Sequence, residues 1–463
     1  MRGSIDVSIE RRSPQSKYLI EAMFNILGIK HAFNKKSLYK DPIKLYYGNH
    51  PKNTADIVIP EAEADDMFED VGTELLKTTK CEQLLNIDFV TIARKFLTDQ
   101  VNNNNPKDTH SRLSFVDSFQ RKNNIGTIPV VSKYVNEFRK ILKTQFDLSG
   151  IPLWPKGKRC AIGLSHDVDV PERFAIQQIP IIQPDKKINW HIKIGVRKLK
   201  AAGERICSVN PNNNWLFDDI MAEEEKYGFK STYFFSSINS AWSWGSPYDV
   251  DYDITQNKYR SLLEEIKNRG FDVGLHASYN AYKQKEYLLH EKNRLEEALG
   301  ATVHGLRHHY WHLGDDVART LRFHEVAGFE YDSSIAFRDS MGFRRSIAYP
   351  FYPWDPVLKR PLHVMQLPVF CMDAHIFVFG LQPKHADPLD QAKECIQQIK
   401  QHQGLGVLNW HVRTSYPGSN KFHKWGKSYI ELLKYLANDS EIWITSLSEI
   451  NDWVRKRGTF NVD

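Results

Sequence analysis

Four short strings combine carboxylates, histidines and an arginine at spacings that could do chemistry. The first is Leu164-Ser165-His166-Asp167-Val168-Asp169. Residues two apart in an extended chain share a face, so Asp167 and Asp169 can point to one side with Val168 turned away. Two neighbouring carboxylates cost free energy unless a cation or a shared proton compensates. One could bind a metal ion while the other serves as a base; the competing account is a turn or capping pair ahead of Pro171. The second string, Gly274-Leu275-His276-Ala277-Ser278-Tyr279-Asn280, offers His276 as a ligand, against the commoner role of a satisfied core or surface histidine. The third, Leu306-Arg307-His308-His309-Tyr310, offers Arg307, whose planar guanidinium could clamp a carboxylate through two bonds. A surface ion pair is the alternative. Adjacent histidines face opposite ways on a strand, so at most one of His308 and His309 should reach a site. The fourth, Asn409-Trp410-His411, offers His411 as a general acid and Trp410 as an apolar wall, against a buried aromatic plug with a structural histidine.

These strings fall where strands should end. Cys160-Ala-Ile-Gly-Leu-Ser reads as a buried strand, and beyond it helices and strands alternate. Helices are expected over 215–227, 258–269, 285–299, 315–327 and 388–401. Glycines at 270, 300 and 328 can close three of them in the left-handed conformation. Strands follow at Ser231, Phe271, Thr302, Phe329, Met365, Leu405 and Glu441. Seven or eight such units predict an α/β chain folded as a distorted (β/α)7-8 barrel, with active groups at the C-terminal ends of its strands.

Residues 1–150 differ in character. They are rich in Lys, Asn and Asp and carry short strand candidates at Lys44 and Ala55, with helices over 17–27 and 135–143. The stretch 149–157, with two prolines and two glycines, reads as a linker. A smaller α+β N-terminal domain (1–150) ahead of the barrel (151–463) is therefore expected.

Composition narrows the classes. The chain has 463 residues, 41% hydrophobic and 25% charged, with a net charge of +6 and a mean hydropathy of -0.49. This is a globular composition without the basic stripe that nucleic acid would require. No stretch has the length of a signal sequence or membrane span, and five scattered cysteines without a CxxC pair read as reduced thiols of a cytoplasmic protein. Three of the eighteen histidines (His31, His50, His110) precede residue 150, which places the chemistry downstream.

Taken in order, the four strings resemble the polysaccharide deacetylase family, the family-4 carbohydrate esterases, over roughly residues 155–455. The resemblance implies a hydrolase of non-peptide carbon–nitrogen bonds. It would release acetate from N-acetylated sugars of a surface polysaccharide or its precursor, with a divalent metal, zinc above all. On the residues of this chain it implies Asp167 as base, Asp169 and His276 as metal ligands, Arg307 as the group orienting the base, and His411 as acid. The family string has its two aspartates adjacent, whereas here Val168 separates them. The family's second metal histidine falls on Asn280, so the third ligand is either Asn280, through its amide oxygen, or His309, the better zinc donor. Asp332 and Asp373 are both candidates for the acid that tunes His411. They are counted with Tyr310, whose N–H could meet an oxyanion, and Trp410 among the groups facing substrate. Two other outcomes are a non-catalytic glycan-binding barrel and a metal-independent amidohydrolase of a small amide.

The N-terminal region resembles, through Lys44-Leu-Tyr-Tyr-Gly, a domain that precedes such deacetylases, and no chemistry is expected of it. Asp249, Asp251 and Asp253 form a D-x-D-x-D run, but Ile254 and Arg260 stand where a calcium loop needs Gly and Glu. The basic stretch 186–205 reads as a solvated amphipathic helix.

Overall fold

The computed structural model describes residues 3–11, 13–33, 41–51, 55–61, 85, 87–172, 214–379, 387, 389–418 and 422–457. The 186–205 stretch, Cys81 and Cys207 lie outside these. Near the N-terminus, β1 (Ser4–Ile9), β2 (Lys30–Phe33), β3 (Ile43–Tyr47) and β4 (Ile57–Ile59) form a sheet in the order β2-β1-β3-β4. Its strands pair in parallel. Ile5 and Val7 alternate toward the core. The helix Pro14–Leu27 between β1 and β2 is capped by the Ser13 side chain and ends on Gly28 at φ 68°.

The second sheet is parallel throughout: β5 (Cys160–Val168), β6 (Ser231–Phe235), β7 (Asp272–Ala277), β8 (Gly305–His308) and β9 (Tyr331–Asp332) pair in sequence. After a short ribbon, β10 (Trp354–Asp355) with β11 (Arg360–Pro361), come β12 (Met365–Gln366) and β13 (Val369–Met372). β12 pairs with β9, and β13 pairs with β14 (Leu405–Asn409), which returns to β5. Only Leu367 and Pro368 separate β12 from β13. The Leu367 N–H donates to Asp332 O at 2.9 Å, and the Pro368 carbonyl accepts from Val407 N–H at 2.8 Å. One stretch of chain thus stitches the two edges of the sheet together. β15 (Ile442–Thr445) pairs beside the first half of β5, whose second half pairs β6. The result is a distorted barrel of seven staves with an eighth strand at its foot, preceded by the smaller N-terminal sheet.

The strands are apolar on both faces because helices cover the outside; every residue of β5 is buried. Helix Lys285–Leu299 ends on Gly300 at φ 66°, a conformation that glycine takes without strain. At Gly305 a side chain would collide with the Tyr331 ring, a Cβ falling 1.9 Å from it.

The N-terminal region packs against the barrel. Ile5, Phe24, Phe96 and Phe138 belong to one apolar cluster with Ala161, Leu405, Val407 and Ile450. Hydrogen bonds join them as well: Val131 N–H donates to Ser346 O at 2.8 Å, and Ala348 N–H to the Ser132 side-chain Oγ at 2.8 Å. Among the described residues no helix is long and apolar enough to cross a membrane. Cys160, Cys371 and Cys395 are buried free thiols.

Candidate active site

The C-terminal ends of β5, β7, β8 and β14 surround a cavity of about 440 Å³. Asp167, Asp169, His276, Tyr310 and His411 line it. Strand alternation decides who faces inward. On β5, Asp167 and Asp169 reach the cavity. Val168 between them is buried in the core, and His166, just before Asp167, turns outward to Glu224, 2.8 Å away. On β8, Arg307 and His309 face in, while His308 bonds to His324 Nε2 of an outer helix at 2.8 Å.

Asp169, His276 and His309 bring one donor atom each within 4.8 Å of one another. His276 Nε2 lies 3.2 Å and His309 Nε2 3.4 Å from Asp169 Oδ1. Tetrahedral zinc bonds of ~2.0–2.1 Å put neighbouring donors roughly 3.3–3.4 Å apart, so these separations fit. Two further observations agree. Asp169 Oδ1 is buried without a hydrogen-bond partner. The His276 Nδ1 faces the Arg307 carbonyl at 3.0 Å, and a carbonyl only accepts. That nitrogen therefore carries a proton, which leaves Nε2 as the atom that faces Asp169 and could ligate an ion. Asp249, 3.6 Å from His309 Nδ1, stands behind the other imidazole. Burial works against a charge on His276, yet Asp167 and Asp169 raise its pKa above the ordinary value. The pocket calls for a positive charge.

Asn280 is not in this group. Its amide nitrogen donates to Trp244 O at 2.7 Å. Of the two alternatives for a third ligand, His309 lies in the group around Asp169, and Asn280 is absent from the cavity lining.

Asp167 is held from two sides, by Arg307 Nη1 at 2.8 Å and by Asn409 Nδ2 at 2.7 Å. Burial raises its pKa, but Arg307 first, then His276 and His411, bring it down to about 2. Arg307 is fully buried. It does not fork onto the carboxylate as expected: Nη2 goes to Ser165 Oγ (2.9 Å) and Ser333 Oγ (3.1 Å), and Nε to Ser333 O (2.9 Å). Its plane lies over the Phe234 ring at 4.4 Å.

His411 Nε2 lies 3.2 Å from Asp169 Oδ2, and its Nδ1 meets both oxygens of Asp373 at 2.9 and 3.0 Å. Asp373 also accepts the His411 N–H and the Thr414 hydroxyl. Burial lowers the His411 pKa; Asp373, with Asp169 after it, overcomes this and raises it to about 10.

Asp373 is thus the partner of His411, and it is completely buried, so it does not face substrate. Asp332 does not either. It accepts from the Ser334 hydroxyl at 2.5 Å and lies toward His324. Trp410 is also completely buried. Its Nε1 donates to Thr414 O at 3.1 Å and its ring packs on Tyr429 at 5.2 Å. The expected apolar wall is a core residue. Tyr310 does stand at the mouth, 38% exposed and at φ 59°.

Sequence reasoning passed over several groups. Arg413 donates to Asp169 Oδ2 at 3.1 Å. Asn409 sat unassigned inside a recognised string. Asp249 belonged to a run read as an incomplete calcium loop. Arg112, from the region assigned no chemistry, also lines the cavity. A second cavity of about 290 Å³, beneath helix Pro14–Leu27, holds none of these groups.

No protein-family model and no curated protein matches the chain. Among solved structures it is similar to an assigned polysaccharide deacetylase from Mycobacterium smegmatis, at 16% identity over 66% of this chain and 93% of that one, with a TM-score of 0.41. It is likewise similar to PuuE allantoinase, at 15% identity over 67% and 95%, with a TM-score of 0.42. A third is a probable polysaccharide deacetylase from Pseudomonas aeruginosa PAO1, at 13% identity over 69% and 99%, with a TM-score of 0.42. Likenesses of this degree carry no argument about chemistry, which rests on the side chains above.

Proposed function

We propose that the chain is a metal-dependent hydrolase that releases acetate from N-acetylated sugars of a surface polysaccharide or its precursor. The observation that carries this reading is the placement of three groups around Asp169: two imidazoles on Oδ1, His411 on Oδ2, and Asp167 beside them in the same cavity. Asp169, His276 and His309 would hold the ion, and two nitrogens with one oxygen suit zinc. A divalent ion bound there supplies Lewis-acid polarisation of the acyl oxygen and of a water molecule.

The chain's own groups do the proton work. Asp167, ionised at neutral pH and fixed by Arg307 and Asn409, takes the proton of the attacking water. His411, kept protonated by Asp373, gives a proton to the departing nitrogen. The two pKa values lie on opposite sides of neutrality, as an acid–base pair requires. The bond broken is the acyl carbon–nitrogen bond, and the products are acetate and a free amino sugar. The exposed Tyr310 ring offers a flat surface to the sugar.

The test is acetate release from N-acetylated oligosaccharides by wild type and Asp167→Asn, with metal content measured on both. The expected outcome is a loss of ~10²–10⁴ in rate with metal content near wild type. Equal hydrolysis by the variant removes Asp167 from the role. Wild-type turnover that survives chelation puts the metal-independent amidohydrolase in its place.

A further inference from the structure

The cavity mouth carries groups that metal binding and proton transfer leave unused. Tyr248 and Tyr310 are 44% and 38% exposed, with ring centroids 5.3 Å apart. His110 packs on both, at 4.9 and 5.1 Å. Beside them two guanidinium groups share one carboxylate. Arg112 Nη2 lies 2.8 Å from Asp108 Oδ2, and Arg338 Nη1 lies 3.6 Å from the same oxygen. Arg112 also sits over the Tyr310 ring at 5.5 Å and donates to its carbonyl at 3.3 Å. Arg338 lines the cavity, and its buried Nε has no hydrogen-bond partner.

Two guanidinium groups against one carboxylate leave a positive charge, and the planar fork of arginine matches carboxylate and phosphate oxygens. Other acids also line the cavity and keep their charge, but they stand on other donors. Asp249 accepts the Ser246 and Tyr279 N–H groups, Asp251 accepts the Ser240 hydroxyl, and Asp167 and Asp169 belong to the reaction centre. The wall is built, not incidental. Lys107 Nζ donates to Asp315 O at 3.1 Å, Ser114 and Phe115 both bond to Asp339, and His110 bonds to the Tyr279 hydroxyl at 2.6 Å.

We propose that Arg112 and Arg338 form an anion subsite, and that the substrate is an N-acylated sugar carrying a carboxylate or phosphate near the acylated nitrogen, its ring against Tyr248 and Tyr310. This deepens the deacetylase reading and rests on it for the position of the acyl group. The N-terminal region, through His110 and Arg112, then shares in selectivity with Arg338 and the two tyrosines of the barrel.

The experiment compares three probes on metal-loaded full chain: N,N′-diacetylchitobiose, an N-acetylglucosaminyl glucuronate and N-acetylglucosamine 6-phosphate. Binding is measured by calorimetry and acetate release in parallel, for wild type, R338Q and R338K. Wild type should bind one of the acidic probes about tenfold or more tightly than chitobiose, and the preference should shrink as salt shortens the ~8 Å screening length. The preferred probe tells carboxylate from phosphate. R338Q should bring the ratio of acidic to neutral affinity to about one, and R338K should recover only the salt-dependent part. Equal binding of all three probes by wild type overturns the subsite, as does a preference that persists in R338Q. Preferential binding without acetate release, abolished in R338Q, keeps the subsite and removes the deacetylase reading.

Discussion

Asp373→Asn tests how the proton donor is made. Asp373 is buried and takes His411 Nδ1 at 2.9 and 3.0 Å, the His411 N–H and the Thr414 hydroxyl. Burial alone would depress His411, yet its pKa stands at about 10 against an ordinary 6.5. At 1.36 kcal/mol per pH unit this net difference is roughly 5 kcal/mol, what remains of the pull of Asp373 and Asp169 after burial and Arg413 have opposed it. The sign follows from the direction. A raised histidine is fully protonated below 6.5 and loses its proton as pH climbs toward 10, so the alkaline limb of activity reports it. With Asn at 373 the carboxylate pull disappears while burial remains. The limb should then move to lower pH, and turnover at neutral pH should fall by ~10²–10⁴. The assay is acetate release from pH 5 to 10, with the His411 ring titrated by NMR in the same variant. An unchanged limb together with an unchanged His411 titration refutes the assignment of Asp373.

The ligand set gives a paired test. His309→Ala should weaken metal binding by more than the ~10–100-fold typical of outer-shell changes, whereas Asn280→Ala should leave it unchanged; metal stoichiometry after dialysis distinguishes the two. Trp410→Phe should lower unfolding stability by about 1–3 kcal/mol through the lost bond to Thr414, with KM for the sugar unaltered. A raised KM would return Trp410 to the substrate wall.

The barrel and the main site groups were legible because period-2 alternation fixes which side chains reach the mouth of a parallel barrel. The same rule, applied further, would have corrected two errors. Trp410 sits between Asn409 and His411, both of which face inward, so it must face the helices. Asp332 precedes Ser333, which turns in to Arg307, so it must turn out. Other features depend on packing that no local pattern encodes. Asn280 is claimed by Trp244, thirty-six residues away. Arg112 and Arg338 meet at Asp108 only because the 107–115 stretch docks on the loop after β9. β1 is only six residues long, so the alternation of Ile5 and Val7 is too short a pattern to stand out locally.

The seam where β12 and β13 join the two edges of the barrel bears on how the site is assembled. The metal-ligand candidates come from the ends of β5, β7 and β8, and Arg307 and Asp167 from the same run of neighbouring strands. Asp373 follows directly on β13, and His411 follows on β14, which pairs it. The proposed proton donor and its partner Asp373 therefore come from the strands at the seam, and the cation-binding candidates from the run β5 to β8. His411 is thus brought to Asp169 by the pairing of β14 with β5, so the proposed acid and the proposed ion site share the register of that one pair.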